Sequence, residues 1–258
     1  MMIHYLRTLT TRERSELGDR HLALFLTFVA GAANAGGFMA VSQYTSHMSG
    51  IVSALADNMV LGEIRLVLAG AGAFLAFVAG AALSAILINW ARRLRLEAEY
   101  AFPLLLEAAL LAIFGIAGSA LQRHGWLFGG GTVMLLCFIM GLQNAIITKL
   151  SGARIRTTHV TGLVTDMGIE IGKLFYWNSP TADPTLPKVV ADRPKLRLLA
   201  SLIGLFLAGG VIGAVAFSRF GFVAALFLAA IVFVLAVTPV IDDVLSIHRK
   251  RKQPPPTS

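Results

Sequence analysis

The sequence has few charged side chains for its length. Only 14% of its 258 residues are Asp, Glu, Lys or Arg, and 56% are hydrophobic. Soluble domains carry roughly a quarter charged residues. The mean hydropathy is +0.74. This composition excludes an ordinary soluble domain and predicts an all-α integral membrane protein whose main partner is the lipid bilayer.

Paired thiols and soluble-enzyme motifs are missing too. The one cysteine, Cys137, stands in an apolar run, so we expect it to pack within the membrane. The sequence contains no GxxxxGK[ST], HExxH, CxxC or GxSxG motif and no recognisable nucleophile–base pair. We therefore expect neither an enzyme nor a cofactor. Histidines and carboxylates could bind a metal, but their spacing specifies no metal site.

Basic residues give the chain a net charge of +8, yet they stand in short blocks between apolar runs. A nucleic-acid partner would require a continuous basic surface, so none is expected. Such blocks are typical of the cytoplasmic loops that set membrane topology.

Two polar motifs occur twice in this apolar chain. The first, called the Asn motif, is GAANA at 31–35 and GLQNA at 141–145. The second, called the His motif, is TSHMSG at 45–50 and TTHVTG at 157–162. The copies lie about 110 residues apart. This internal repeat divides the chain into two homologous halves.

Long apolar runs predict six spans, since about twenty residues cross a bilayer. They are 22–41, 66–89, 101–121, 128–148, 196–217 and 221–241. Two shorter, more polar segments at 47–61 and 159–174 follow the His motifs. The predicted organisation is an N-terminal segment 1–21, a first repeat 22–121, a linker 122–127, a second repeat 128–241 and a basic, Pro-rich tail 242–258. Because Asn-Ala recurs in mid-chain, 22–41 is interpreted as a retained span and not as a cleaved signal peptide.

Topology depends on whether the short segments cross the membrane. If they enter and return on one side, only Arg65, Arg123 and Arg219 lie outside. If they cross, seven basic residues lie outside: Arg92, Arg93, Arg95, Lys149, Arg154, Arg156 and Arg219. The positive-inside rule favours six spans, two re-entrant half-helices and inverted repeats. Eight spans with parallel repeats remain the alternative.

The His motifs are the candidate binding site. Ser46 and Thr158 are predicted to cap half-helices whose N-termini could hold an anion or polar solute near mid-membrane. Candidate binding residues are Thr45, His47, Ser49, Thr157, His159 and Thr161. The alternative for each histidine is a bond to backbone carbonyls that fixes the bend.

Four other polar residues are predicted to orient the site or couple it to an ion: Asn34, Asn144, Asp57 and Asp166. The structural alternative for Asn34 and Asn144 is a bridge from a span to a half-helix. For the carboxylates it is an interfacial position, and Glu170 could simply pair with Lys173.

Small residues recur every fourth position in two spans, which are Gly72, Ala76, Gly80 and Ser84 in one and Ala200, Gly204 and Ala208 in the other, with Gly209 and Gly213 alongside. This spacing lets helices approach closely. We expect contacts within the subunit, with a homo-oligomer face as the alternative.

The Asn and His motifs, followed by a basic loop and a Gly-rich span, resemble the YoaK-like family of bacterial membrane proteins, classed by a domain of unknown function. That family commonly has an acid where Asn34 stands and Thr-Gly-Asn where Ser49-Gly50-Ile51 stands. The resemblance covers nearly all of 20–245. It implies a six-span plasma (bacterial inner) membrane protein and supplies no substrate.

Together these features predict a transporter or channel for a small polar or anionic solute, with both termini cytoplasmic. The alternative is a non-transporting scaffold or regulatory protein that acts through its basic cytoplasmic face.

Overall fold

The computed structural model describes residues 16–41, 43–96, 98–121, 126–150, 158–178 and 187–252. Within these ranges the chain forms α-helices and no strand. A 3-10 turn, Gly221–Val223, separates the last two helices. The helices are α1 Glu16–Val41, α2 Met48–Leu61, α3 Ile64–Arg93, α4 Ala101–Leu121, α5 Trp126–Leu150, α6 Val160–Phe175, α7 Arg193–Phe220 and α8 Ala224–Lys252.

The all-α class is confirmed, and every predicted span or short segment coincides with one helix. α8 continues past residue 241 to Lys252, into the segment predicted as a tail, because no Pro or Gly interrupts it there. Residues 1–15, 122–125 and 253–258, which belong to the predicted terminal segments and linker, lie outside the described residues.

Five segments of the described chain are long and apolar enough to cross a membrane. Four correspond to α1, α3, α4 and α5, and the fifth, Arg193–Val237, covers α7, the 3-10 turn and part of α8. α2 is apolar but shorter. In α1, 67% of the apolar window is buried, compared with 22% in α3. The chain is therefore a multi-helix membrane protein with α1 at its centre and α3 at its lipid-facing surface.

Glycines bring α1 and α7 together at backbone distance. A Cβ on Gly31 would collide with the carbonyl oxygen of Phe206, and a Cβ on Gly209 would collide with that of Phe28. Each helix thus presents a Phe-x-x-Gly sequence to the other. A glycine lets the opposing carbonyl approach its Cα, which is the closest packing two helices can reach.

The same contact joins α3 and α5. A Cβ on Gly80 would collide with the carbonyl oxygen of Phe138, and a Cβ on Gly141 would collide with that of Phe77. The first long helix of each half therefore packs against the second long helix of the other half. Four Phe-x-x-Gly sequences, at 28–31, 77–80, 138–141 and 206–209, make these two contacts. The sequence prediction considered only small residues at every fourth position and missed the Phe-x-x-Gly sequences.

Contacts in register give the relative directions of these helices. Residue numbers rise in step along α1 and α7, where Phe28 contacts Gly209, Ala32 contacts Gly213, and Gly36 contacts Phe217. They also rise in step along α3 and α5, where Gly72 contacts Met134, Gly80 contacts Phe138, and Asn89 contacts Lys149. Each pair is therefore parallel.

α4 and α8 form the third large contact and run antiparallel. Gly115 lies against Leu226, and Gly118 lies against Phe222. After the Gly221–Val223 turn, α8 packs back against α1 and α4, so it reverses the direction of α7.

α3 and α4 form a hairpin closed by the Arg92–Glu99 ion pair, 2.9 Å. Consequently α1, α4 and α7 run one way, and α3, α5 and α8 run the other.

The short helices pack on the long helices that follow them, α2 on α3 and α6 on α7. With 14 residues, α2 spans about 21 Å, less than the roughly 30 Å of a hydrocarbon core. Gly62, at φ 73°, ends α2 in the left-handed conformation and turns the chain directly into α3. In the second half a longer connection, 176–192, leads to α7, whose N-cap Asp192 accepts a hydrogen bond from the Lys195 N–H at 2.9 Å.

The glycine contacts predict a selective loss of stability. Gly31→Ala and Gly80→Ala should each lower the free energy of unfolding by about 1–3 kcal/mol, because the added methyl group meets backbone and not a flexible side chain. Thermal unfolding in detergent measures the effect. Gly204→Ala, on α7 with nothing within 4 Å, is the matched control. Equal stabilities of all three variants would contradict this packing.

Candidate functional site

A cavity of about 750 Å³ lies between the N-terminal ends of α2 and α6. Both copies of the His motif contribute to its wall. Residues 46–49 come from the first copy and residues 158–161 from the second, with Asn144 and Thr148 from α5 and Phe77 and Phe206 from two of the Phe-x-x-Gly sequences. Motifs about 110 residues apart in sequence therefore meet in one space.

Two hydrogen bonds attach the segments before α2 and α6 to the long helices α1 and α5. The Ser46 hydroxyl donates to Asn34 Oδ1 at 2.9 Å, and the Thr158 hydroxyl donates to Asn144 Oδ1 at 2.7 Å. Asn34 lies seven residues before the end of α1, about 10 Å along the helix axis. The chain that leaves α1 therefore comes back along it before α2 begins. These bonds are the bridges that the structural interpretation of both asparagines predicts.

The predicted capping residues are wrong by one position. The N-cap residues are His47 and His159, and neither side chain makes a capping hydrogen bond. The hydroxyls of Ser46 and Thr158 bond to the asparagine amides instead, because an amide buried in an apolar helix needs a partner. The first-turn N–H groups of α2 and α6 consequently receive no side-chain cap from these residues.

The two histidines are oriented differently. The His47 ring lies 5.0 Å from that of Tyr44, which stacks on Phe38 at 4.8 Å. The His159 ring lies over the first turn of α6, where a Cβ on Gly162 would collide with Nδ1. Both imidazoles are exposed and line the cavity. His47 therefore stands beside an aromatic pair, whereas His159 lies against its own helix.

The described wall of the cavity combines apolar side chains with hydrogen-bonding groups and has no acidic side chain. Hydroxyls, imidazoles and an amide line it, and none of its lining residues in the described ranges is Asp, Glu, Lys or Arg. With two helix N-termini at the same space, the field there is positive. The arrangement can donate hydrogen bonds to a small polar or anionic group.

Other predicted site residues lie elsewhere. Thr45 is fully buried, packs against Gly37 and does not line the cavity. Asp57 is exposed on α2, away from the cavity wall. Asp166 lies 3.8 Å from Lys195 Nζ, toward the start of α7. Ser49 and Thr161 line the cavity as predicted, whereas Thr157 lies outside the described residues.

Glu170 ties α6 to the start of α7. Its carboxylate accepts hydrogen bonds from the Asp192 N–H and from Lys173 Nζ, both at 2.9 Å, with Lys195 Nζ at 3.6 Å. The backbone N–H of Asp192 and then the Lys173 ammonium lower the pKa of this carboxyl. The pair with Lys173 is the structural role considered from the sequence.

Sequence reasoning missed one polar pair. Glu107 on α4 is fully buried, and its Oε1 accepts a hydrogen bond from Gln143 Nε2 at 2.8 Å. Gln143 belongs to the second Asn motif, where the first copy has Ala33. That difference between the copies was the available signal. No group of three or more His, Cys, Asp or Glu that could hold a metal ion occurs among the described residues.

Comparison with known proteins places the chain in a family. A family model described as "Protein of unknown function (DUF1275)" matches residues 22–238. The chain belongs to this family. No curated protein and no solved structure matches. The match covers both copies of each motif and all the helices that surround the cavity.

The two asparagine bonds predict pairwise coupling. In a double-mutant cycle, Asn34→Ala and Ser46→Ala should show a coupling energy of about 0.6 kcal/mol, with an upper limit near 1.7, as for other side-chain bonds in membranes. Unfolding in detergent measures it. The crossed pair, Asn34→Ala with Thr158→Ala, shares no bond and should be additive. Coupling of equal size in both cycles would contradict a local bridge.

Proposed function

We propose that the protein moves a small polar solute, anionic by preference, across the membrane through the cavity between α2 and α6. The observation that carries this proposal is the meeting of both His motifs, with their hydroxyls and imidazoles, at one cavity in an apolar helical protein. A structural motif would have no need to present exposed imidazoles and hydroxyls from both halves to the same space.

The wall supports a ligand rich in hydrogen-bond acceptors. The N-termini of α2 and α6 favour negative charge, and no acidic residue among the lining residues opposes it. His47 and His159 can donate hydrogen bonds, as can Ser49 and Thr161. In this proposal Asn34 and Asn144 act as positioning residues, since their amides hold the residues that precede the two helices.

Helix directions support inverted repeats and six spans. α1 begins the first half and α5 begins the second, and they belong to the two oppositely directed sets. Each half then has three long helices and one half-helix, and α2 and α6 enter the membrane from opposite sides. Transporters with this architecture bind solutes at the interface of the repeats.

Charge supports the orientation. With the N-terminus in the cytoplasm, the turns after α3 and α5 are cytoplasmic and carry Arg92, Arg93, Arg95 and Lys149. The proposed location is the bacterial inner membrane, with both termini inside. The short turn between α2 and α3, which contains Glu63, then faces outward.

Flux tests the proposed site. Liposomes containing the protein should take up at least one member of a panel of formate, chloride, urea and glycerol faster than protein-free liposomes, measured by stopped-flow light scattering. The His47→Ala/His159→Ala variant should lose most of this flux, because both imidazoles face the cavity.

Matched controls are Ser53→Ala and Thr165→Ala, on the same helices but outside the lining. Unchanged flux in a folded double-histidine variant would remove these residues from the site. Absence of flux for the whole panel would favour the scaffold alternative.

Cysteine labelling tests the topology. In a Cys137→Ala background, Leu94→Cys should react with an impermeant maleimide only from the cytoplasmic side, and Glu63→Cys only from the outside. Both positions are exposed, so access to the reagent depends on the side of the membrane. Reversed labelling of the two positions would contradict the proposed orientation with the N-terminus in the cytoplasm.

A further inference from the structure

We propose that Glu107 is a proton-binding site: it carries a proton and, as a neutral acid, forms two reciprocal hydrogen bonds with the side-chain amide of Gln143. This inference does not depend on the transport proposal. It rests on which atoms of the buried pair are bonded and which are left without a donor.

The bonding pattern is incomplete if the carboxyl group is ionised. Gln143 Nε2 donates to Glu107 Oε1 at 2.8 Å. Glu107 Oε2 and Gln143 Oε1 are both buried and both lack a hydrogen-bond partner. An ionised carboxylate and an amide oxygen are acceptors only, so neither can satisfy the other. A buried acceptor without a donor is costly in an apolar environment.

One proton satisfies both atoms. A protonated Oε2 becomes a donor, and the acceptor left over on the same pair is Gln143 Oε1. The carboxylic acid and the carboxamide then form a closed ring with one N–H···O and one O–H···O bond. The two residues therefore have the complementary groups of a neutral acid–amide pair.

Among the described residues of the elements that pack against α4, no cationic side chain is placed to neutralise the charge instead. α4 packs against α3, α5, α8 and the 3-10 turn. On α3, Arg65 and Arg93 are exposed, and Arg92 binds Glu99. On α5, Lys149 binds Asn89, and Cys137 belongs to a separate cluster with Ile51 and Ala73. From Ala224 to Ile241, α8 has no ionisable residue.

A bound metal cation fits less well than a proton. Hard cations such as Ca²⁺ take about six to eight oxygen ligands. This pair offers two oxygens without partners, and the other buried side-chain oxygens without partners among the described residues, on Thr45 and Ser84, lie outside α4 and α5. In the chain Gln143 directly precedes Asn144, which lines the cavity and accepts the bond from Thr158.

Infrared spectroscopy of the full-length protein in lipid at neutral pH tests the assignment. The wild-type spectrum should contain the C=O stretching band of a protonated carboxylic acid, and Glu107→Gln should lack it. Glu99→Gln is the matched control: it removes a carboxyl that is bonded to the Arg92 guanidinium and should cost carboxylate absorption only. Loss of carboxylate absorption from Glu107→Gln, with no change in the acid band, would overturn the proposal.

A second variant keeps the question answerable if Glu107→Gln does not fold. Gln143→Leu removes the acceptor and also the amide N–H that donates to Glu107 Oε1, but it leaves the acid, so the acid band should persist and shift to the higher frequency of a free C=O group. An unshifted band would show that the acid belongs to another residue, and a wild-type spectrum without any acid band would also overturn the assignment.

Discussion

A chain inside a bilayer can leave the helical conformation only where its polar groups find partners within the protein. In this structure two connections are attached to long helices in this way, since Ser46 donates to Asn34 and Thr158 donates to Asn144. Without these bonds the hydroxyls would be free to cap α2 and α6, and the segments before the two helices would not be tied to α1 and α5. The cavity between α2 and α6 therefore depends on these two hydrogen bonds.

Close packing of the long helices gives this pair of bridges a fixed frame. α1 contacts α7 and α3 contacts α5 through Phe-x-x-Gly sequences, and two of these phenylalanines, Phe77 and Phe206, also line the cavity. Each half therefore completes the other, because its first long helix packs against the second long helix of its counterpart. The same contacts that bring the halves together at backbone distance also position the wall of the site.

The two halves differ around the repeated motifs. A tight turn at Gly62 joins α2 to α3, whereas Glu170 holds α6 to the start of α7 across a longer connection. An aromatic stack lies beside His47, and His159 lies on its own helix. Gln143 replaces Ala33 in the second Asn motif and meets Glu107. The environment around the cavity is consequently asymmetric although the motifs are repeated.

The sequence alone determined the helical class, the position of every helix and the two repeated motifs, because apolar length and self-similarity are local properties of the chain. It also indicated that Asn34 and Asn144 would need partners. Only the tertiary structure decided that Ser46 and Thr158 are those partners, that Thr45 and Asp57 stand away from the cavity, and that Glu107 is buried against Gln143. These outcomes depend on how the chain folds back along its own helices and on which helix faces which, and both are set by tertiary packing and not by local sequence.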